Sequence, residues 1–494
     1  MEAVVSGFAV LLDWHLLLLM LLGACIGMVF GILPGLSGMT ALALLMPFTF
    51  TMDPYAALAF LLSAHAVIYT GGSVTAILLN IPGAGPNAAT LIDGFPMTQK
   101  GLAGRALGAA LTSSGVGGVI GAVALMGLIF VVRPIVMAFG LPEYFFLVFL
   151  GLAFISVIGG KATKGLISGA LGILVSFVGI HALSGEVRLT FGSMYLFDGF
   201  NVIPLALGLF ALPELVRMFL DPSASLAQGQ EVSVRFSDVV EGIKDVFRHA
   251  KLCVASSIIG TTVGIIPGVG GETAPFVAYG VARSFSKHPE KFGEGTVEGV
   301  IAPESANNAK EGGSLLPTLA FGIPGSAGMA LLLGAFLIVG LKPGPMLLSE
   351  HPSLPFTLVG AVVVGNLIGV ALLLAIGHKL ASLSLVRGSI LGPLLMAFVV
   401  IGAFATRTDM MDVVFVFIFG ALGYAMKAFG YNRPALFLGF VLGSMAERYL
   451  GLSLNTHGMW FFFRPLSLTL FVLTILVLFS DPIRARLPRR KHES

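Results

Sequence analysis

The stretch Gly27-x3-Gly31-Ile32-Leu33-Pro34-Gly35-Leu36-Ser37-Gly38 returns in the second half of the chain as Gly260-x3-Gly264-Ile265-Ile266-Pro267-Gly268-Val269-Gly270-Gly271, with every matched glycine and proline 233 residues on. A second pair follows in the same order. Gly71-Gly72-Ser73 and then Ile81-Pro82-Gly83 are answered by Gly312-Gly313-Ser314 and then Ile323-Pro324-Gly325. Two ordered matches at a nearly constant offset predict an internal duplication. All four pieces are helix breakers set inside apolar sequence. Proline lacks an N–H and glycine tolerates unusual backbone angles. In hydrocarbon an unpaired backbone group costs several kcal/mol, so such breaks persist only where protein or a watery cavity surrounds them. Paired interruptions in two halves point to a midplane binding site, where freed N–H groups meet anions and freed carbonyls meet cations. Simple kinks with close helix packing are the plainer reading of any single break.

The chain around these breaks is that of a membrane protein. Of 494 residues, 56% are hydrophobic and 11% charged, with 64 glycines; a soluble domain carries about 25% charged residues. Apolar runs at His15–Leu33, Ala106–Val132, Tyr144–Ile158, Leu166–Ala182, Phe200–Leu220, Leu252–Ile266, Met329–Leu341, Phe356–Ile376, Ile390–Phe404, Val413–Met426, Ala435–Met445 and Leu466–Phe479 predict an all-α polytopic membrane protein of about 10–12 transmembrane segments. The two repeats carry broken or re-entrant helices, and an inverted-topology relation is expected because it brings equivalent breaks to one site.

Four regions are expected: repeat 1 over residues 1–220, a polar linker over 221–250, repeat 2 over 251–480 and a basic tail over 481–494. In the linker, Val239, Val240, Ile243, Val246 and Phe247 share one face of a helix over Ser237–Ala250, which predicts an amphipathic helix on the membrane surface. Asp238 and Glu241 have the spacing of a capping pair. Arg484, Arg486, Arg489, Arg490 and Lys491 predict a cytoplasmic C-terminus; so short a tail beyond a span does not suggest nucleic acid. Glu2 in place of a basic leader, and no small-residue cleavage site, predict a retained first helix. Cys25 and Cys253 are expected as packing residues.

Gly31-Ile-Leu-Pro-Gly-Leu-Ser-Gly38, Gly71-Gly-Ser-x-x-Ala-Ile-Leu-Leu-Asn-Ile-Pro-Gly83, Asp93-Gly-Phe-Pro-Met97 and, most specifically, Ala302-Pro-Glu-Ser-Ala-Asn-Asn-Ala-Lys-Glu-Gly-Gly-Ser314 resemble the large membrane subunit of the tripartite tricarboxylate transporters, the TctA type. The likeness spans nearly the whole chain. It implies a secondary transporter in a bacterial inner membrane that imports citrate or another small organic anion. It further implies an ion gradient as driving force, a small membrane subunit and a periplasmic solute-binding protein as partners.

The residues suggest where the chemistry sits. Glu304, Asn307, Asn308 and Glu311 share a helical face beside Gly313 and Ser314, and oxygen-rich side chains at a break suit a hard cation such as Na⁺. Asn307, Asn308 and Ser314 are the expected cation or carboxylate ligands; Glu304 and Glu311 set the local charge. Lys310 meets a substrate carboxylate or pairs with Glu311. No cofactor is expected, and the coupling ion is Na⁺ or H⁺. In the first half, Ser37, Ser73, Thr75 and Asn80 are short polar groups beside the breaks formed by Pro34, Gly35, Gly38, Gly72, Pro82 and Gly83. In the second half, Glu272 and Thr273 follow Pro267, Gly268 and Gly271, and Ser326 follows Pro324 and Gly325. A carboxylate at a helix start is also favoured by the dipole alone. The stretch Ser63–Thr70, equivalent to the Asn/Glu run, holds Ser63, His65, Tyr69 and Thr70; His65 is expected as a packed histidine. Asp93 is expected to fix a loop.

Two other classes compete. Gly35-Leu-Ser-Gly38 matches the G-x-S-G pattern of rhomboid intramembrane proteases, with His65, His181, His378 and His457 as available bases. The repeat partner, however, has no serine. A passive anion channel is the other alternative. Neither H-E-x-x-H nor G-x4-G-K-[ST] occurs, so metalloprotease and self-contained ATPase readings lose support.

Overall fold

The computed structural model describes residues 2–33, 36–158, 162–181, 183–220, 234–267, 270–380 and 388–478. The chain runs α1 (Glu2–Val10), α2 (Trp14–Ile32), α3 (Gly38–Leu45), α4 (Pro54–Leu79), α5 (Asn87–Gln99), α6 (Ala103–Met137), α7 (Leu141–Ile158) and α8 (Ala162–Ser176). A short antiparallel pair, β1 (Gly179–Ile180) with β2 (Val187–Arg188), precedes α9 (Val202–Ala206) and α10 (Leu212–Leu220). The second half has α11 (Phe236–Arg248), α12 (Ala250–Ile265), α13 (Gly270–Phe285), α14 (Glu298–Phe321), α15 (Ala327–Ile338), α16 (Pro345–Glu350) and α17 (Leu354–Leu380). It closes with α18 (Gly388–Arg407), α19 (Met410–Ala428), α20 (Arg433–His457) and α21 (Pro465–Leu478). This is an all-α polytopic membrane protein. Seven helices among the described residues are long and apolar enough to cross a membrane, and shorter apolar helices accompany them.

One of the seven, α4, escaped the hydropathy reading. Its sequence is interrupted by Ser63, His65, Tyr69, Thr70 and Gly-Gly-Ser, because 94% of its most apolar window is buried inside the protein rather than facing lipid. The least apolar long helix, α14, is interior for the same reason: every residue from Gly299 to Ala320 is buried. Polar sequence here marks the centre of the molecule, not its surface. Exposed large apolar side chains lie elsewhere, on helices such as α2, α19 and α21.

Glycines set how closely the central helices approach. A Cβ on Gly27 or Gly31 of α2 would lie 2.2 Å from the carbonyl oxygens of Ala64 and Ile68 of α4. A Cβ on Gly260 or Gly264 of α12 would lie 2.4 Å from those of Ala306 and Lys310 of α14. Both helix pairs thus rest backbone against backbone. The central helices also end alike: α4 stops on Asn80 at φ 59° and α14 on Gly322 at φ 67°, each a left-handed cap.

The linker helix, α11, docks on α6 through Gly104, Gly108 and Gly242, where an added Cβ would strike Asp238, Val239 and Arg105. Val239, Asp245 and Val246 are buried, while Phe247 is exposed. Arg105 holds Asp245 at 2.5 Å. The expected capping pair does not form: Arg235 is the N-cap residue and makes no side-chain cap bond, and Glu241 instead binds Arg248. Cys25 and Cys253 are unpaired, with Ser305 donating to Cys253 Sγ at 3.2 Å. Residues 221–233 and the basic tail lie outside the described residues.

Candidate functional site

Two features meet at the centre: a cavity at the breaks and a polar layer behind it. Ser37 starts α3, its Oγ accepting from the Thr40 N–H at 3.2 Å. Ser326 starts α15 in the same way, accepting from the Met329 N–H at 3.2 Å. The loop from Pro82 to Pro86 completes the third wall. Together with Tyr69 these segments enclose about 260 Å³, lined by Ser37, Gly38, Pro82, Gly83 and Ser326 among others. Two helix N-termini border the space, each a positive dipole end, which favours an anion.

The polar layer fills the gap between α4 and α14. His65 Nε2 lies 3.0 Å from Glu311 Oε2. Asn308 Nδ2 donates to Thr70 Oγ1 at 2.8 Å and to Asn366 Oδ1 of α17 at 2.6 Å. Ser73 Oγ donates to Glu304 Oε1 at 2.6 Å. Residue numbers rise along α4 as they fall along α14, so the two helices run antiparallel. Glu304 also accepts from Thr90 of α5 and, at 2.6 Å, from Ser114 of α6. Lys310 Nζ sits 2.5 Å from Glu311 Oε1 and 4.0 Å from the centre of the Tyr69 ring, whose residue lines the cavity.

This layer is fully buried, with Lys310 1% exposed and Glu304 and Asn307 0%. Buried polar atoms are nearly always paired. Here both amide atoms of Asn307, Asn308 Oδ1, Ser63 Oγ and His65 Nδ1 have no partner. Such a concentration of unpaired atoms on facing helices suits a site for a translocated solute.

These contacts sort the expected residues. The cavity gathers Ser37, Gly38, Pro82, Gly83 and Ser326. The polar layer gathers Ser73, Glu304, Asn307, Asn308, Lys310 and Glu311. Ser314 lies two helical turns beyond Asn307 and donates to Gly264 O at 3.3 Å. Asn80 is exposed and serves as the cap of α4. Thr75 Oγ1 bonds Gly72 O at 3.1 Å within its own helix. Gly72 packs on Gly83, and Gly325 on Ser314. Gly313 meets Thr261, Pro324 is buried in the break, and Pro267 and exposed Thr273 border the α12–α13 break. Among the described residues, none from that fourth break lines the cavity. Pro34, Gly35 and Gly268 lie outside the described residues, as do the surroundings of Gly271 and the side chain of Glu272.

His65 does more than pack: it joins Glu311 across the layer. Asp93 fixes a loop, accepting from the N–H groups of Gly293, Gly295 and Thr296 and from Tyr279 OH at 2.8 Å. Sequence reasoning missed Asn87, Thr90, Ser114 and Asn366. Asn366 carried a readable signal, a lone amide in the apolar α17. Among the described residues no three His, Cys, Asp or Glu side chains cluster as a metal site.

The family pattern described as "Tripartite tricarboxylate transporter TctA family" matches residues 17–438. This chain belongs to the TctA family. The TctA-family match covers both the cavity and the polar layer. Among relatives, an uncharacterized 52.8 kDa protein in the TAR-I ttuC' 3' region of Agrobacterium vitis is 36% identical over 430 residues, 87% of this chain and 85% of the relative. A second Agrobacterium vitis protein, in the TAR-II ttuC' 3' region, is 37% identical over 191 residues, 39% of this chain and 79% of that relative. No solved structure matches. The family is one of transporters, so this TctA-family chain is a multi-pass membrane protein of a tripartite transport system.

Proposed function

We propose that the chain is the large transmembrane subunit of a binding-protein-dependent secondary transporter that imports a small di- or tricarboxylate-like anion on an ion gradient. The observation that carries this reading is the roughly 260 Å³ cavity bounded by the N-termini of α3 and α15. It lies just below the usual range of ligand pockets, about 300–1,000 Å³, and so suits a metabolite of a few carbons. Lys310 stands behind Tyr69, and an incoming carboxylate would compete with Glu311 for it. Asn307 and Asn308 would hold the coupling cation, Na⁺ or H⁺-bearing water, or a second substrate carboxylate. The partners are a small membrane subunit and a periplasmic solute-binding protein, in a bacterial inner membrane, with the C-terminus cytoplasmic.

The halves are read as an inverted duplication. Sequence-equivalent helices α4 and α14 run antiparallel, and α2 meets α4 as α12 meets α14. Both facts fit a two-fold axis between the halves.

The protease alternative draws no support from Ser37, whose Oγ lies 3.0 Å from Thr40 Oγ1 and caps α3. Nucleophilic activation needs an adjacent base, and His65 is committed to Glu311. The test is uptake into proteoliposomes holding both membrane subunits, with binding protein loaded with labelled di- or tricarboxylate and an imposed Na⁺ or pH gradient. Accumulation against the substrate gradient is expected. Flux that merely equilibrates substrate would make the protein a channel, and no flux would remove the reading.

A further inference from the structure

Glu304 and Glu311 share one face of α14, yet their surroundings differ. Glu311 is compensated by Lys310 at 2.5 Å and by His65 at 3.0 Å. Glu304 is 0% exposed and is met by neutral groups: the hydroxyls of Ser73, Ser114 and Thr90, with the Asn87 amide beside them. We propose that Glu304 is the proton-binding residue of the coupling machinery, with a hydroxyl and amide chain that links its charge state to the wall of the substrate cavity. This inference rests on the transport reading above and deepens it by naming the coupling ion and its residue.

An ionised carboxylate buried without a cation is costly, and protonation relieves that cost. The surrounding groups suit both states. Each hydroxyl can donate to a carboxylate or rotate to accept from a carboxylic acid. A lysine in the same place would hold the charged form only. In the step itself, Glu304 takes a proton from the side of higher proton activity and its charge goes from −1 to 0. It then releases that proton to the other side, and the imposed gradient supplies the driving force.

Other titratable groups on the surrounding elements are committed elsewhere. On α4, His65 faces Glu311, and Tyr69 underlies Lys310. On α5, Asp93 is held by the Gly293–Thr296 loop and by Tyr279 of α13. Arg105 on α6 binds Asp245, and Cys253 on α12 accepts from Ser305. At the start of α14, Glu298 accepts from Thr296. Among the described residues, no Lys, Arg or His contact to Glu304 is present.

The chain to the cavity is short. Asn87 Nδ2 donates to Ser73 Oγ at 2.9 Å and to Tyr69 O at 2.8 Å, while Asn87 Oδ1 accepts from Ala84 N at 3.1 Å. Tyr69 and Ala84 both line the cavity. There is no slack between them: a Cβ on Gly72 would lie 2.3 Å from Asn87 Oδ1, and one on Gly83 would lie 2.4 Å from Gly72 Cα. Protonating Glu304 frees Ser73 to turn its hydroxyl fully to Tyr69 O, now 3.2 Å away. That turn changes the anchor of Asn87 and, through it, the Ala84 loop.

Glu304→Gln, which imitates the protonated state, tests the proposal in proteoliposomes with both membrane subunits and loaded binding protein. Two readouts are compared: exchange of labelled substrate at equal concentrations, and net uptake under an imposed pH gradient. Glu304→Gln should retain measurable exchange while gradient-driven uptake falls at least about tenfold. Glu304→Asp should restore a response to the gradient. Ser114→Ala and Thr90→Val each remove a donor that favours the carboxylate, so the pH of half-maximal uptake should move upward. These two variants decide the matter if Glu304→Gln does not accumulate in the membrane. Normal pH-driven uptake by Glu304→Gln, or an unmoved pH profile in Ser114→Ala and Thr90→Val, would overturn the proposal. So would wild-type uptake that follows Na⁺ and ignores the pH gradient, which leaves the transport reading standing. Wild-type protein with neither uptake nor exchange would remove the transport reading itself.

Discussion

His65 Nε2 lies 3.0 Å from Glu311 Oε2, and this contact joins the two helices that carry the Gly-Gly-Ser sequence. The pair sits on facing, antiparallel helices, so the two stretches matched in sequence are also opposite one another in space. Lys310 completes a buried group of three ionisable side chains, in which Glu311 is shared between two nitrogen partners. Breaking a buried ion pair from one side leaves an uncompensated charge in low dielectric, and that usually costs about 3–5 kcal/mol.

Lys310→Ala is therefore expected to destabilise the protein by about 3–5 kcal/mol, while Lys310→Ala with Glu311→Gln should cost clearly less than the sum of the two single changes. Thermal melts of the detergent-purified single and double variants form the cycle that measures this. Additive losses would mean that the two side chains do not compensate each other.

The breaks give a steric prediction. A Cβ at Gly83 would lie 2.4 Å from Gly72 Cα, and one at Gly325 would lie 2.5 Å from Ser314 Cα. Both obstacles are backbone and cannot swing aside. Gly83→Val and Gly325→Val should each cost about 1–3 kcal/mol or more through overpacking and should abolish most uptake. Gly127→Ala is the control, because nothing lies within 4 Å of its added Cβ. Normal uptake by both valine variants would show that the breaks can relax without loss.

Much of this arrangement was legible in the residues. The shared face of Glu304, Asn307, Asn308 and Glu311 follows from helical periodicity, and the breaks follow from Gly and Pro. The partners across the layer did not follow, since periodicity within one helix says nothing about which helix it faces. Ser114 and Thr90 look like ordinary small polar residues until α5 and α6 are brought against α14. Ser314 shares the helical face of Asn307 two turns on, but its bond to Gly264 O of α12 is a contact between helices that periodicity within α14 does not give. The hydropathy reading failed at α4 for a related reason: it assumes that a crossing helix faces lipid. The apolar face of α11 was readable, but its docking surface was not, because Gly104 and Gly108 leave no pattern that distinguishes a helix seat from general glycine abundance.

That docking gives a pH prediction. Burial alone would raise the Asp245 carboxyl, but the hydrogen bond and charge of Arg105, together with Arg248, outweigh it and hold the group below its ordinary value. A carboxyl depressed in the folded state stabilises the protein above its unfolded pKa, about 3.9, and that gain is lost as pH falls through the folded value. The stability difference between wild type and Asp245→Asn should be constant at neutral pH and shrink below about pH 4. Melting curves of both proteins across pH test this; a difference that grows on acidification would reverse the sign.

Asn307 separates function from fold most cleanly. Its side chain is 0% exposed, and neither amide atom has a hydrogen-bond partner. A buried amide in this condition contributes no hydrogen bond to stability and carries an unrecovered desolvation cost. Truncation removes that cost along with modest packing, so Asn307→Ala should leave membrane abundance and melting temperature nearly unchanged. Transport should respond differently if the amide meets a solute during the cycle. Loss of one hydrogen-bonding ligand in a buried site costs about 1–3 kcal/mol, a change of roughly five- to 150-fold in an equilibrium constant. If the amide serves the coupling cation, the ion concentration for half-maximal uptake should rise by that factor. If it serves the substrate carboxylate, the dependence on loaded binding protein should shift instead. Asn308→Ala provides the contrast: Asn308 Nδ2 already bonds Thr70 and Asn366, so its loss should lower stability as well as transport. A stable Asn307→Ala protein with unaltered dependence on both solutes would place the translocated ion and anion away from this layer.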